Sequence, residues 1–229
     1  RDASGFRKIA KKGESHSIAF LSKYPEDGFP PFVYLTGNGS MGRVGAGDRN
    51  VLREYCLKGG MLIADAGSPS FHHSFVQFVR QVFPDKPFID LADDDVIFQV
   101  PNLFPDGAPA FWHHGGRRAK AIKHDGRIVL FYHPGDMNDA WKNPGFTDIT
   151  PQMRDAAFNL GINLLSYSFT QWNDAVMRLR KCTRKPLATS VMQALPSGGW
   201  PACFGWLILF ALLVCLPQAD FSFAYSPGF

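Results

Sequence analysis

Histidine and aspartate are the side chains of this chain with the most chemistry to offer. Of seven histidines, five fall as the pairs His72-His73 and His113-His114 and the single His133, each beside a stretch that reads as a loop or a helix start. With Asp65, Asp136 and Asp139 they make up an imidazole and carboxylate set of the kind that binds zinc, manganese or iron. The spacing matches no compact ligand motif such as His-Glu-x-x-His. Neighbouring histidines on a strand or helix point apart, so each pair supplies one ligand at most. Two readings stand. One is a metal site from His73, His114, His133 and Asp136, serving a metal-dependent hydrolase in which Asp65, His72 and His113 are alternatives or additions. The other, which is the expectation, is a polar rim whose side chains hydrogen-bond and shape a pocket.

Ser68 stands where a strand ends and a helix begins, the position of a nucleophile elbow. Gly67-Ser68-Pro69-Ser70 is not the Gly-x-Ser-x-Gly arrangement that presents a hydroxyl, and a serine followed by proline at a helix start reads as an N-cap. Thr36-Gly37-Asn38-Gly39 and the glycines from Gly42 to Gly47 lie between a strand and a helix, where backbone amides can hold an anion. They lack both the Gly-x-Gly-x-x-Gly spacing and the P-loop lysine, so no cofactor is expected. Trp141 beside Asp136 and Asp139 reads as a ring packed over the sheet edge, or as an apolar face for a sugar or peptide.

The elements that must position these residues are legible from hydrophobic periodicity. Three apolar runs, Phe32–Leu35, Met61–Asp65 and Arg127–His133, each end in a loop of Gly, Asp, Asn, Ser or Pro, and in an open α/β sheet such loops collect on one edge. Asp48 is expected to cap a helix over Arg49–Lys58 that stops at Gly59-Gly60. Ser68-Pro69 opens a helix through Phe83 with Phe71, Phe75, Phe78, Val79 and Val82 on one face. Thr150-Pro151 opens a long helix with Met153, Ala157, Leu160, Leu164 and Tyr167 in its stripe, running toward a basic segment. Lys123-His124-Asp125-Gly126 signals a hairpin between Ala119–Ile122 and Arg127–Tyr132, so the sheet is mixed. Phe88–Leu91 and Ser17–Leu21 are further expected strands, and residues 101–109 form a Pro-rich loop.

At 229 residues, 45% hydrophobic and 14% aromatic, the chain can bury a sizeable core. Its net charge of +4 is accounted for by Arg178, Arg180, Lys181, Arg184 and Lys185, which leaves no nucleic-acid footprint on the body. The four cysteines show no paired spacing. Residues 186–219 carry no charged side chain, and Trp200–Leu216 is a borderline length for a membrane span. The basic cluster ahead of it fits a cytoplasmic flank, so a membrane-associated tail is expected. The chain opens at Arg1, which a removed leader or a fragment would each explain. The expected organisation is an N-terminal segment over 1–31 with a truncated first strand region, an α/β domain over 32–172, a basic helical extension over 173–185 and an apolar tail over 186–229.

The motifs Tyr34-Leu35-Thr36-Gly37-Asn38-Gly39, Leu52-Arg53-Glu54-Tyr55 through Gly59-Gly60-Met61-Leu62-Ile63-Ala64-Asp65, Val82-Phe83-Pro84-Asp85, and Tyr132-His133-Pro134-Gly135-Asp136 with Trp141 occur in order. Through them the chain resembles the bacterial family known as domain of unknown function 4159, over about Phe32 to Trp172. The resemblance implies a three-layer, flavodoxin-like sandwich similar to class I glutamine amidotransferases, in proteins associated with the cell envelope. Those enzymes need a cysteine at the elbow, because an unactivated thiol is mostly protonated at neutral pH. Here the elbow reads Asp65-Ala66-Gly67-Ser68-Pro69, so glutamine amidotransfer is rejected. The expectation is a non-catalytic module that binds a small ligand or protein partner at the membrane or envelope through Thr36, Gly37, Asn38, Asp65, Ser68, His113, His114, His133, Asp136 and Trp141. The metal-dependent hydrolase is the alternative.

Overall fold

The computed structural model describes residues 16–111, 115–141 and 149–183. Within them the chain runs β1 (Phe32–Leu35), α1 (Ala46–Lys58), β2 (Met61–Asp65), α2 (Pro69–Val82), β3 (Ile89–Asp90), β4 (Lys120–His124), β5 (Arg127–His133), α3 (Met137–Trp141) and α4 (Pro151–Thr183). The strands form one five-stranded sheet in the order β1-β2-β5-β4-β3. β1, β2 and β5 are mutually parallel, and β4 runs antiparallel to both its neighbours. The β4–β5 hairpin turns on Asp125 and Gly126 at φ 50° and 75°. Both angles lie in the left-handed region that a two-residue turn of this twist requires.

Helices cover both faces. α2 lays Phe71, Phe75, Phe78, Val79 and Val82 onto Leu62, Ala64, Leu130 and Tyr132, with Leu52, Tyr55 and Cys56 of α1 completing that core. The opposite core joins Met61, Ile63, Ala121 and Phe131 to Ala157, Leu160 and Leu164 of α4. β2 alternates strictly between the two, as a strand buried on both faces must. β5 does not: Ile122 pairs with Leu130 and Lys123 with Ile128, so Val129 is left over as a bulge and shares a face with Leu130.

Residues 16–31 hold a correction. Ser17–Leu21 is no strand. Ile18–Lys23 forms a short 3-10 helix, and Ile18 and Leu21 pack against the α1–α2 core. The three-residue spacing of those two apolar groups suits a helix of three residues per turn. The cap of α1 also differs, since the helix starts at Ala46 after Gly45 with no side-chain cap, and Asp48 sits inside its first turn. There its charge still opposes the positive helix end. α4, 33 residues and therefore about 50 Å long, continues into the basic segment as its pattern predicts. It leaves the second core and reaches the first at Val176, passing β1, where Trp172 Nε1 donates to Phe29 O at 2.7 Å. No helix among the described residues is long and apolar enough to cross a membrane, and the apolar tail over 186–229 lies outside them.

Candidate functional site

Parallel register brings the three loops together. Leu35 pairs with Ala64 and Asp65 with His133, so the chain leaves β1, β2 and β5 at nearly the same height on one edge. β4 runs the other way, which puts Arg117–Ala119 on that edge too, with Leu91 N–H donating to Ala119 O at 2.8 Å.

Strand alternation places Asp65 on the face of Ile63 and Tyr34, under α3. It is 0% exposed. Tyr34 Oη donates to Oδ1 at 2.9 Å, the Asn138 backbone N–H donates to Oδ2 at 2.8 Å, and Thr36 adds a side-chain hydrogen bond. Burial pushes the Asp65 carboxyl up to about 7, and the negative charge of Asp136 adds to this, against the lowering effect of those three bonds. Burial also holds the Tyr34 hydroxyl well above its ordinary range, so it stays a neutral partner. A protonated Asp65 can donate to Tyr34, and an ionised one can accept from it. The group is set to carry or release a proton near neutral pH.

The neighbours of this carboxyl are fixed by their own bonds. Asp136, 4% exposed, accepts the Asp139 N–H at 2.8 Å and starts α3. Trp141 Nε1 donates to Ala157 O at 2.9 Å, and its ring meets Tyr34 with centroids 5.5 Å apart. His133 is fully buried, its Nδ1 accepts the Gly135 N–H at 2.9 Å, and Nε2 lies 2.8 Å from Pro109 O. These contacts occupy both ring nitrogens.

At the elbow Ser68 is a cap, as its position before proline predicts. Its Oγ accepts the Phe71 N–H at 3.2 Å, donates to Asn38 O at 2.6 Å and lies 3.0 Å from Ser70 Oγ. Gly67 N–H donates to Gly37 O at 3.0 Å, and a Cβ on Gly67 would stand 1.8 Å from Asn38 Oδ1. A side chain there would displace the end of Asn38 and crowd Gly37 O, at 3.1 Å from the Cβ. Thr36, Gly37, Asn38, Asp65, Ser68, His133, Asp136 and Trp141 thus share one edge. His113 and His114 lie outside the described residues.

The other face of the same edge was not legible as a site. His72 and His73 take different partners, His73 Nδ1 lying 2.6 Å from Pro69 O and His72 Nδ1 2.7 Å from Tyr132 Oη, while their rings meet edge to face with centroids 5.5 Å apart. Partial burial lowers His72 to about 4, helped by Arg117, His73 and Lys120. Among the described residues no three His, Cys, Asp or Glu side chains gather as a ligand set. Tyr34, Tyr132 and the Asn138 amide were also missed. A tyrosine near the carboxyl end of an otherwise apolar strand was the available signal for the first two, and a backbone amide leaves none.

Comparison with curated proteins gives no match. A family model covers well over half of the sequence, beginning ahead of β1 and ending within α4. The chain belongs to the family described as domain of unknown function DUF4159, which it matches over residues 13–169.

Proposed function

We propose that this protein is an amidotransferase-like α/β module that binds a small polar ligand or a partner's segment at the Asp65 rim without turning it over, at the bacterial membrane or envelope. One observation carries the reading: the elbow after β2 has no activated nucleophile. Its hydroxyl, on Ser68, gives its proton to the Asn38 carbonyl and accepts from the Phe71 amide, and no imidazole among the described residues is in hydrogen-bond contact to act as base. Beside it, Asp65 is buried and bonded to Tyr34, Thr36 and Asn138, so it fixes the loops that form the rim, and Trp141 packs on Tyr34 next to it. The parallel β1, β2 and β5 with their loops on one edge and helices on both faces support the amidotransferase-like architecture. The basic cluster followed by an apolar run supports membrane association.

Hydrogen exchange on the full chain in detergent, with envelope extracts, peptides and glycans added in turn, tests the reading. Slowed exchange over 36–38, 65–71 and 134–141 with one class of addition is the expected result. Turnover of any of them that is lost in Asp65→Asn or Ser68→Ala would overturn it. So would stoichiometric metal in protein purified without chelator and lost on changing His73, His133 or Asp136, which would favour the metal-dependent hydrolase.

A further inference from the structure

α4 joins the two edges of the sheet and ends at the one opposite the Asp65 rim. Near its start it borders the rim, where Trp141 Nε1 donates to Ala157 O. Further on, Trp172 Nε1 donates to Phe29 O ahead of β1, and a Cβ on Gly59, ahead of β2, would stand 2.5 Å from Ala175 Cβ. The helix therefore runs from the carboxyl ends of the parallel strands to their amino ends. At 1.5 Å per residue, Lys181 in its last turn lies ~36 Å from Ala157.

That last stretch is basic. Arg178, Arg180 and Lys181 are exposed, Arg184 and Lys185 follow in the sequence, and no acidic residue occurs between Asp174 and Asp220. Arg180 Nε donates to Asp27 Oδ2 at 3.3 Å, which ties the segment after the 3-10 helix to the same turn. On that segment Lys23 and Glu26 offset each other. Met177, 46% exposed, and Tyr24, 36% exposed, add apolar bodies to this end of the molecule.

We propose that this amino-end edge, through the last turns of α4, rests on an anionic phospholipid surface and holds the Asp65 rim on the far side, away from the bilayer. Charge and continuity select the occupant. A cluster of cations with no acid among them is drawn to anionic headgroups, and this one opens directly onto residues 186–219, which carry no charged side chain. A nucleic acid would match the charge but not the apolar run that follows it. The tyrosine is of the type that settles at headgroup level.

This orientation rests on the membrane association proposed above, and one experiment separates the two. The full chain is reconstituted into vesicles of phosphatidylcholine alone or mixed with phosphatidylglycerol, with a nitroxide on some of the headgroups. A fluorophore is attached at Met177→Cys or at Gly39→Cys, in a chain carrying Cys182→Ser, Cys203→Ser and Cys215→Ser and keeping the buried Cys56. Position 39 is on the rim side, with open space around its Cβ. Strong quenching at 177 and little at 39 is expected in the vesicles with phosphatidylglycerol. Arg178→Gln with Lys181→Gln lowers the ratio of docked to free domain ~25-fold, about fivefold per cation, and high salt acts in the same direction while the chain stays with the vesicles. Equal quenching at the two positions, or stronger quenching at 39, overturns the proposal and leaves membrane association standing. So does quenching at 177 that ignores phosphatidylglycerol, salt and both substitutions. Quenching at 177 that rises with the protein-to-lipid ratio alone marks a second copy as the occupant and overturns it too. A chain that fails to float with either vesicle overturns both readings. Circular dichroism confirms that the variants fold.

Discussion

Asp65 and His72 stand at one edge of the same sheet, on opposite faces, and burial drives them in opposite directions: the carboxyl up to about 7, the imidazole down to about 4. Each is pushed toward its neutral form, since a low-dielectric surround disfavours charge of either sign. Their settings differ in what surrounds them. Asp65 is enclosed by donors from β1, the loop after it and α3, with Asp136 adding a like charge, while His72 is half-buried, has one tyrosine partner and feels Arg117 and Lys120. One face of the edge is a finished hydrogen-bond nest. The other keeps unspent charge.

The two groups make opposite contributions to stability over nearly the same pH range. The folded pKa of Asp65 is raised, so the native state binds more protons than the unfolded chain between about 4 and about 7, and stability falls as pH rises through that window. The folded pKa of His72 is lowered, so its contribution is complete above about 6.5 and is lost as pH falls toward about 4. The largest test is therefore Asp65→Asn. It preserves the acceptor for Asn138 N–H and Thr36 and can donate to Tyr34, but it cannot ionise. Urea midpoints should show the variant gaining on the order of a few kcal/mol over wild type above about pH 7, while the slope from His72 emerges below it. A variant weaker than wild type at high pH would mean that the nest holds a carboxylate, and the contrast between the faces would be lost.

Gly67→Ala tests whether the nest is truly closed. Its methyl group meets Asn38, so a cost of about 1–3 kcal/mol in a denaturant titration is expected, from overpacking. Ser68→Ala should cost about 1 kcal/mol, the worth of an N-cap. Loss of a measured hydrolysis at unchanged stability would instead mark Ser68 as a nucleophile. Arg117→Ala has the smallest effect on stability, within ~0.5 kcal/mol for a partly exposed side chain with no ion pair or hydrogen bond among the described residues. It should raise the His72 pKa seen by NMR titration part of the way toward 6.5, because burial, the larger cause, is left in place.

Much of this edge could be read in advance from particular residues. Phe32–Leu35, Met61–Asp65 and Arg127–His133 are apolar runs of strand length with polar ends, and α2 shows its buried stripe at helical spacing under a Ser-Pro start. Ser17–Leu21 departs from its expected strand because a short continuous apolar run fits a strand or a single 3-10 turn equally well, and only the neighbouring α1 surface decides. Val129 was hidden for a related reason, since a bulge reveals itself through the partner strand alone.

The amino-acid order by itself determined where strands and helices fall, that the elbow after β2 carries no thiol, and that Ser68 caps α2, because these depend on local periodicity and on residue type at one position. Tertiary structure alone decided which polar groups meet. Asp65 reaches Tyr34, 31 positions away, and Asn138, 73 positions away, through strand register and the return of α3 over the edge. Arg117 comes near His72 because β4 reverses direction. Burial and neighbouring charge set the protonation of each group, and both are properties of the packed molecule, created when distant segments exclude water together.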